Sequence, residues 1–475
     1  MLTLADLLEA LTSTRPANAN APIAEAFVDS RKATRDSLFV AIQGENVDGH
    51  DFIADAFHRG ATFALVQKDV PFPTLDLRGG ELSTFNLGTA PCGQPSNLCI
   101  RVDNTISALQ QIARFWRRKL TNLRVVGITG SVGKSTTKET TAEVLSRRYK
   151  TLRSPGNLNN EIGLPLTVLK LNPSHERAVL EMGFYVSGEI EFLCDIAQPH
   201  IGVVTNIGTV HAERAGSQDA IARGKSELVQ YLPSDGVAIL NFDDPFVRRM
   251  EEKTKARVFF YGLSHESDLW ADHIEGLGLD GIRFRMHYKG ETIHSHVPMI
   301  GRHSVHTALR AAAVGLNDGL TWQEIFEGLS QGGAQLRLSA VRSKTGALIL
   351  DDTYNASPES MLAALSLLDE MDGRKIAVLG DMLELGQYEK QGHELVGMRV
   401  AQVAKVLITL GVKARIIAES ARRAGLKSVN IFEFEDSESV VDWLTKNLTP
   451  ADVALVKGSR GLRMDKITAA LEVQS

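Results

Sequence analysis

The sequence predicts an α/β protein of three domains. These are a small mixed α/β N-terminal domain, a central phosphate-loop domain on a parallel sheet, and a C-terminal Rossmann-like domain. Three observations predict it. Short apolar runs alternate with helix-like stretches along most of the chain, the pattern of a parallel sheet. One such run, Val125–Ile128, ends in a glycine-rich turn followed by lysine and two hydroxyl residues. With 475 residues the chain is also too long for a single core.

Composition narrows the class. The chain is 43% hydrophobic and 23% charged, as a soluble globular protein should be. Its 52 basic and 57 acidic residues leave a net charge of −5, so no global basic field argues for nucleic acid. No run reaches the apolar length of a membrane span. The first ten residues carry Asp6 and Glu9 and no basic residue, which is not the pattern of a signal peptide. Cys92, Cys99 and Cys194 form no Cys-x-x-Cys motif, and a reduced, cytoplasmic setting is expected.

The elements follow in order. Residues 1–103 read as short strands at Ala26–Asp29, Ser37–Ile42 and Phe63–Gln67, with a helix at Phe52–Arg59. Asp69–Asn97 is polar and rich in proline and glycine, so a long surface loop is expected. Residues 104–333 open on an amphipathic helix (Ile106, Leu109, Ile112, Ala113, Trp116). The glycine-rich turn comes next, with a helix expected over Lys138–Tyr149. Apolar strands follow at Ala178–Leu180, Ile201–Val204 and Val237–Leu240. Residues 257–300 alternate apolar and polar, as in Ile282–Met286, and read as an antiparallel appendage. Residues 334–475 return to strand–helix alternation, with strands at Ala347–Leu350, Ile376–Leu379, Val406–Leu410, Val429–Phe434 and Val453–Val456.

The chemistry gathers at strand ends. In Thr129-Gly130-Ser131-Val132-Gly133-Lys134-Ser135-Thr136, the glycines let backbone N–H groups face an anion. Lys134 reaches terminal phosphates, and the Ser135 hydroxyl suits Mg²⁺. Ile128 stands where the strict pattern wants glycine, so the match is to the shorter form T-G-S-x-G-K-S. In open α/β sheets ligands bind beyond the carboxyl ends of strands. Glu181 ends one strand and is a hard oxygen donor for Mg²⁺. Thr205-Asn206, with His211 and Glu213 beyond, ends the next; Asn241, with Asp243 and Asp244, ends a third. In the third region Asp351–Asn355, Gly380-Asp381 and Lys457–Arg460 do the same. Arg337, just past the second boundary, is placed to swing onto a nucleotide. Lys225, inside Ala222–Leu228, reads from composition as a solvated lysine. Ser154–Asn160 reads as a turn whose amides can also orient a polar substrate.

With these residues placed, the chain resembles the Mur ligases over nearly its whole length. The matching segments are Val28–Arg31, Leu38–Ala41 with Gly44-Glu45, Asp48–Phe52, Thr129–Ser135, Gly156–Gly163, Glu181–Gly183 and Thr205–Gly208 with His211 and Glu213. Lys225, Asp351–Ala356, Leu379–Gly386 and Val456–Arg460 complete them. The resemblance implies a UDP-substrate domain (1–103), an ATP-binding domain (104–333) and a ligase domain that brings the incoming amine (334–475). It implies that ATP phosphorylates the terminal carboxylate of UDP-N-acetylmuramoyl-tripeptide. The amine of D-alanyl-D-alanine then attacks the acyl phosphate.

Roles carry over residue by residue. Lys134, Lys225, His211 and Arg337 are implied as catalytic. Gly130 through Thr136, Asn241, Thr307 and Asp352 are implied at ATP. Ser135, Glu181, His211 and Lys225 are implied at metal, with Lys225 as a carbamate, which reverses its solvated reading. Ser30, Arg31, Asp48, His50, Asn157, Asn160 and Asn355 are implied at substrate. A monomer without a membrane span or a nucleic-acid partner is expected. Another Mur-type amide ligase, or a nucleotide-binding module without ligation, are the alternatives. One departure stands out: Ser304 and Thr307 occupy positions where the family usually has asparagine. A threonine hydroxyl lacks the paired donor and acceptor of an amide.

Overall fold

The computed structural model describes residues 1–78, 97–209, 212–331 and 339–472. His211 and Arg337, expected at the site, and most of the expected loop at Asp69–Asn97 lie outside those residues. The chain forms two compact units: residues 1–127, 149–183 and 189–201 in one, and 128–148, 184–188 and 202–475 in the other.

The first unit holds a five-stranded parallel sheet of order Ala26–Phe27, Ser37–Val40, Ala61–Val66, Leu98–Arg101 and Thr74–Asp76. The last strand falls inside the segment read as loop. Its Leu75 side chain is buried, which a proline-rich setting disguises. The amphipathic helix forms over Thr105–Lys119, capped by Asn104. Its last residue, Lys119, bonds Asp6 and Glu9 of the helix Leu4–Thr12 at 2.9 and 2.8 Å. The strands Arg177–Glu181 and Thr151–Arg153 also belong here and pair in parallel.

In the second unit, β1 (Arg124–Thr129, entering from residue 128) leads into α1 (Lys134–Leu145). α1 begins four residues earlier than expected, because Gly133, at φ +84°, caps it. Next come β2 (Ile201–Val204), α2 (Gln218–Tyr231) and β3 (Val237–Asn241). The strand Arg257–Gly262 pairs in parallel with β3, and Leu269–Gly276 continues in parallel. Only Ile282–Tyr288 and Glu291–Val297 add on antiparallel, so the appendage is shorter than predicted. α3 (Val305–Asn317) packs against α1.

A six-stranded sheet fills residues 339–457. Its order is Ser339–Arg342, β4 (Leu348–Asp351), β5 (Asp452–Lys457), Arg374–Gly380, Val406–Leu410 and Ile431–Phe434. All neighbours are parallel except the first pair. Both faces are buried. Leu350, Leu379 and Leu455 point to one side, and Ile349, Val378 and Val456 to the other. That two-sided burial is why these strands read as continuous apolar runs. α4 (Pro358–Glu370) covers one face, capped by Ser357. The fold class is α/β with predominantly parallel sheets, as predicted.

Candidate active site

The phosphate loop is built from outside. Gly130 has φ +143°, and a Cβ there would overlap the Thr205 side chain at the end of β2. Thr205 donates its hydroxyl to the Val132 carbonyl at 2.7 Å. Asn206 bonds the same residue twice: its Oδ1 accepts the Val132 N–H (2.9 Å), and its Nδ2 donates to the Val132 carbonyl (3.1 Å). The Ser131 N–H donates to the Asn206 carbonyl, and the Ser131 hydroxyl accepts the Gly208 N–H, both at 2.9 Å. Thr205 and Asn206 therefore hold the loop from the neighbouring strand end. Lys134 folds back, donating to the carbonyls of Gly130 (2.8 Å) and Ser131 (3.2 Å). Ser135 and Thr136 open α1, where N–H groups and the helix dipole favour an anion.

Lys225 is not solvated. It is 1% exposed, donates to the Gly130 carbonyl at 3.1 Å and stands 4.8 Å from the Phe184 ring centroid. Its position on α2 turns it inward to the phosphate loop, which overturns the composition-based reading. A Cβ at Gly224 would run into Phe184, so the residue before Lys225 must be glycine to admit that ring.

Asn241 is buried and occupied by backbone. Its Nδ2 donates to the Thr205 carbonyl at 3.0 Å, and its Oδ1 accepts the Asp243 N–H at 3.1 Å. The buried Tyr261 hydroxyl reaches the same Thr205 carbonyl at 3.2 Å; burial pushes its pKa up to about 12. Thr307, on α3, accepts from Arg310 Nη2 at 2.9 Å. His306 meets Asp243 at 2.8 Å.

The six-stranded sheet brings Asp352 and Asn355 to one cation. Lys457, 2% exposed at the end of β5, donates to Asp352 Oδ2 (2.7 Å) and the Asn355 carbonyl (2.8 Å). This region closes on the β2 end. Glu359 of α4 accepts the Thr209 N–H at 3.2 Å, and a Cβ on Gly208 would meet its carboxylate at 2.7 Å. Gln387 donates to the Gly216 carbonyl at 3.2 Å.

In the first unit, Glu181 is 1% exposed and accepts Asn159 Nδ2 at 2.9 Å. Its carboxylate is the donor type a hard divalent cation prefers. Asn160 instead accepts the Gly163 N–H at 2.9 Å, where the next helix begins, while Asn157 is exposed. Asp48 accepts Lys68 (2.5 Å), the His50 N–H (2.9 Å) and His50 Nδ1 (2.6 Å). The lysine first, then the backbone bond, hold that carboxyl well below the usual range. His50 Nε2 accepts the Gln67 N–H at 3.1 Å, so both ring nitrogens are engaged. Arg31 is exposed beside Asp29, and Ser30 is buried. The sequence places Thr205, Asn206 and Lys457 at strand ends and Asn159 in a turn without giving their partners, and it does not single out Arg310.

A phosphate loop on a parallel sheet, clamped by the neighbouring strand end and followed by a second α/β sheet, defines a nucleotide-dependent enzyme. Family models agree in order along the chain: the Mur ligase family catalytic domain matches residues 23–117, the Mur ligase middle domain 128–315, and the Mur ligase glutamate ligase domain 336–460. The UDP-N-acetylmuramoyl-tripeptide–D-alanyl-D-alanine ligase of Bacillus subtilis is 34% identical over 93% of this chain and 92% of its own length. The crystal structure of MurF from Acinetobacter baumannii superposes with a TM-score of 0.84 at 30% identity, over 99% of this chain and 98% of that one. MurF ligase from Thermotoga maritima, in complex with ADP, gives 0.75 at 27% identity, over 94% and 96%. The chain belongs to the Mur ligase family. It is therefore an ATP-dependent, amide-bond-forming ligase.

Proposed function

We propose that this ligase joins D-alanyl-D-alanine to UDP-N-acetylmuramoyl-tripeptide in peptidoglycan precursor synthesis. The observation that carries the reading is the match to curated ligases of that name over nine-tenths of both chains. A carboxylate is a poor electrophile, and phosphorylation gives it a leaving group. The tripeptide's terminal carboxylate attacks the γ-phosphorus of ATP, and ADP leaves. The dipeptide amine then attacks the acyl carbon, the C–O bond to phosphate breaks, and the amine's proton passes to solvent. Little covalent chemistry falls to the protein; positioning and charge stabilisation do the work.

In this reading Lys134 leaves its own loop carbonyls for the terminal phosphates, and the N–H groups from Gly130 to Thr136 cradle them. Mg²⁺ would be held by Ser135 and Glu181, where it would neutralise phosphoryl charge. Lys225 is proposed as a carbamate toward metal, His211 at a second cation and Arg337 at the γ-phosphate. Asp352, positioned by Lys457, is proposed at the ribose, with Thr307 and Asn241 at the base-side end. Asn157 and Asn160 with Ser30, Arg31, Asp48, His50 and Asn355 are proposed at the substrates, His50 by holding the Asp48 turn. Domain limits at 103 and 333, a monomer and a cytoplasmic setting complete the proposal.

The test is phosphate release from ATP with each substrate omitted in turn. The reading requires release only when the UDP-tripeptide and the dipeptide are both present, with a product of the summed mass less water. Equal turnover with glutamate or another amino acid in place of the dipeptide would assign a different Mur-type ligase.

A further inference from the structure

Arg310 is a buried cation that the reaction outlined above does not use. It lies on α3, one turn beyond Thr307, and is 4% exposed. Its Nη2 donates to Thr307 Oγ1 at 2.9 Å, and its Nη1 approaches the Tyr261 hydroxyl at 3.5 Å. Its Nε has no hydrogen-bond partner, and no carboxylate pairs with it among the described residues. Buried guanidinium groups are ordinarily paired, because an uncompensated charge in the interior is costly.

The surroundings make the charge harder to carry. A Cβ on Gly133 would stand 3.2 Å from Arg310 Nη2, so the guanidinium lies against the residue that caps α1. A helix N-terminus bears partial positive charge. Lys134 follows immediately in sequence. Arg310 and Lys457 are both among the cations that act on His303. Arg310 and the N-terminus of α1 bring positive charge together here; Asp243 and Asp244 act on the neighbouring Tyr261, but among the described residues no carboxylate forms an ion pair with Arg310. Such an arrangement is stable where an anion is the intended occupant.

We propose that Arg310 is a positioning residue for the nucleotide's phosphates. It rests on the nucleotide reading of the phosphate loop and extends it. The guanidinium supplies a fixed counter-charge behind Gly133 and acts through the loop rather than by touching substrate. Its bond to Thr307 also settles the direction of that hydroxyl. With Arg310 donating to Thr307 Oγ1, the threonine's own proton points elsewhere and serves as a donor. The pair Arg310–Thr307 thus gives this chain a charged device at a position where an amide was expected.

The test compares Arg310→Met, Arg310→Gln and Arg310→Lys with the wild type, reading unliganded melting temperature and ADP affinity by calorimetry. Methionine fills similar space without charge; glutamine can bond Thr307 but is neutral. The proposal expects the Met and Gln variants to melt at or above the wild-type temperature, since an unpaired buried charge is gone. Both should bind ADP on the order of tenfold more weakly, and Arg310→Lys should recover part of that loss. ADP affinity within threefold of wild type in Arg310→Met would overturn it. So would a fall in melting temperature that tracks the affinity loss with lysine no better than methionine, which marks a packing role. A wild-type chain that fails to bind ADP would overturn the nucleotide reading itself, and the inference with it.

Discussion

Asn206→Ala should loosen the phosphate loop without unfolding the chain. The side chain makes two bonds to Val132, at 2.9 and 3.1 Å; the Val132 carbonyl is shared with the Thr205 hydroxyl at 2.7 Å. A neutral intramolecular hydrogen bond contributes about 0.5–1.5 kcal/mol net, so the pair amounts to about 2 kcal/mol. If the loop must be ordered to bind phosphate, that energy is withdrawn from nucleotide affinity. At 1.4 kcal/mol per decade, ADP should bind roughly 30-fold more weakly. Thr205→Val provides the graded comparison. It keeps shape and removes one hydroxyl bond to the Val132 carbonyl at 2.7 Å, so a loss of about fivefold follows by the same reasoning. Calorimetric titration with ADP measures both, with circular dichroism reporting the fold. ADP affinity unchanged in Asn206→Ala would refute the clamp, as would a larger loss in Thr205→Val than in Asn206→Ala.

Three further outcomes are expected. Lys225→Ala should cripple ligation, and short carboxylic acids at high concentration should restore part of it by replacing a carbamate; a fully active variant would return the lysine to a structural role. Glu359→Ala removes the acceptor of the Thr209 N–H, at a cost of about 1 kcal/mol; amide exchange at Thr209 and at 212–216 should quicken while β2 stays protected, and unchanged exchange there would remove Glu359 from the closure contact. His303 is held down to about 4, from 6.5, by desolvation first and then by His306, Lys457 and Arg310, although the residue as a whole is exposed. A histidine depressed on folding gives stability that is complete above pH 6.5 and fades as pH falls toward 4. Denaturation at pH 7.5 and 5 should therefore show a smaller acid loss in His303→Gln than in the wild type, and equal losses would discount this histidine.

What was legible in the sequence is what sits on consecutive residues. The phosphate loop declares itself because its glycines, lysine and hydroxyls serve one anion from one turn. The inner strands of the six-stranded sheet declare themselves because burial on both faces leaves an almost unbroken apolar run. The clamp does not, because Asn206 and Val132 are 74 residues apart in the chain. Lys225 is one lysine among many until α2 turns it onto the Gly130 carbonyl. The three asparagines at 157, 159 and 160 are equivalent in composition; only the turn geometry gives Asn159 to Glu181 and Asn160 to the Gly163 N–H. The antiparallel edge strand Ser339–Arg342 escaped notice because it is short and mostly exposed, so it carries almost no apolar signal.

Label transfer tests the central claim most directly. The UDP-tripeptide is prepared with ¹⁸O in its terminal carboxylate and turned over with ATP and D-alanyl-D-alanine. Activation by phosphorylation predicts that one labelled oxygen appears in inorganic phosphate for each amide formed, because the acyl–oxygen bond is the one that breaks. Amide formation with no label in phosphate, or phosphate released unlabelled in step with product, would contradict it.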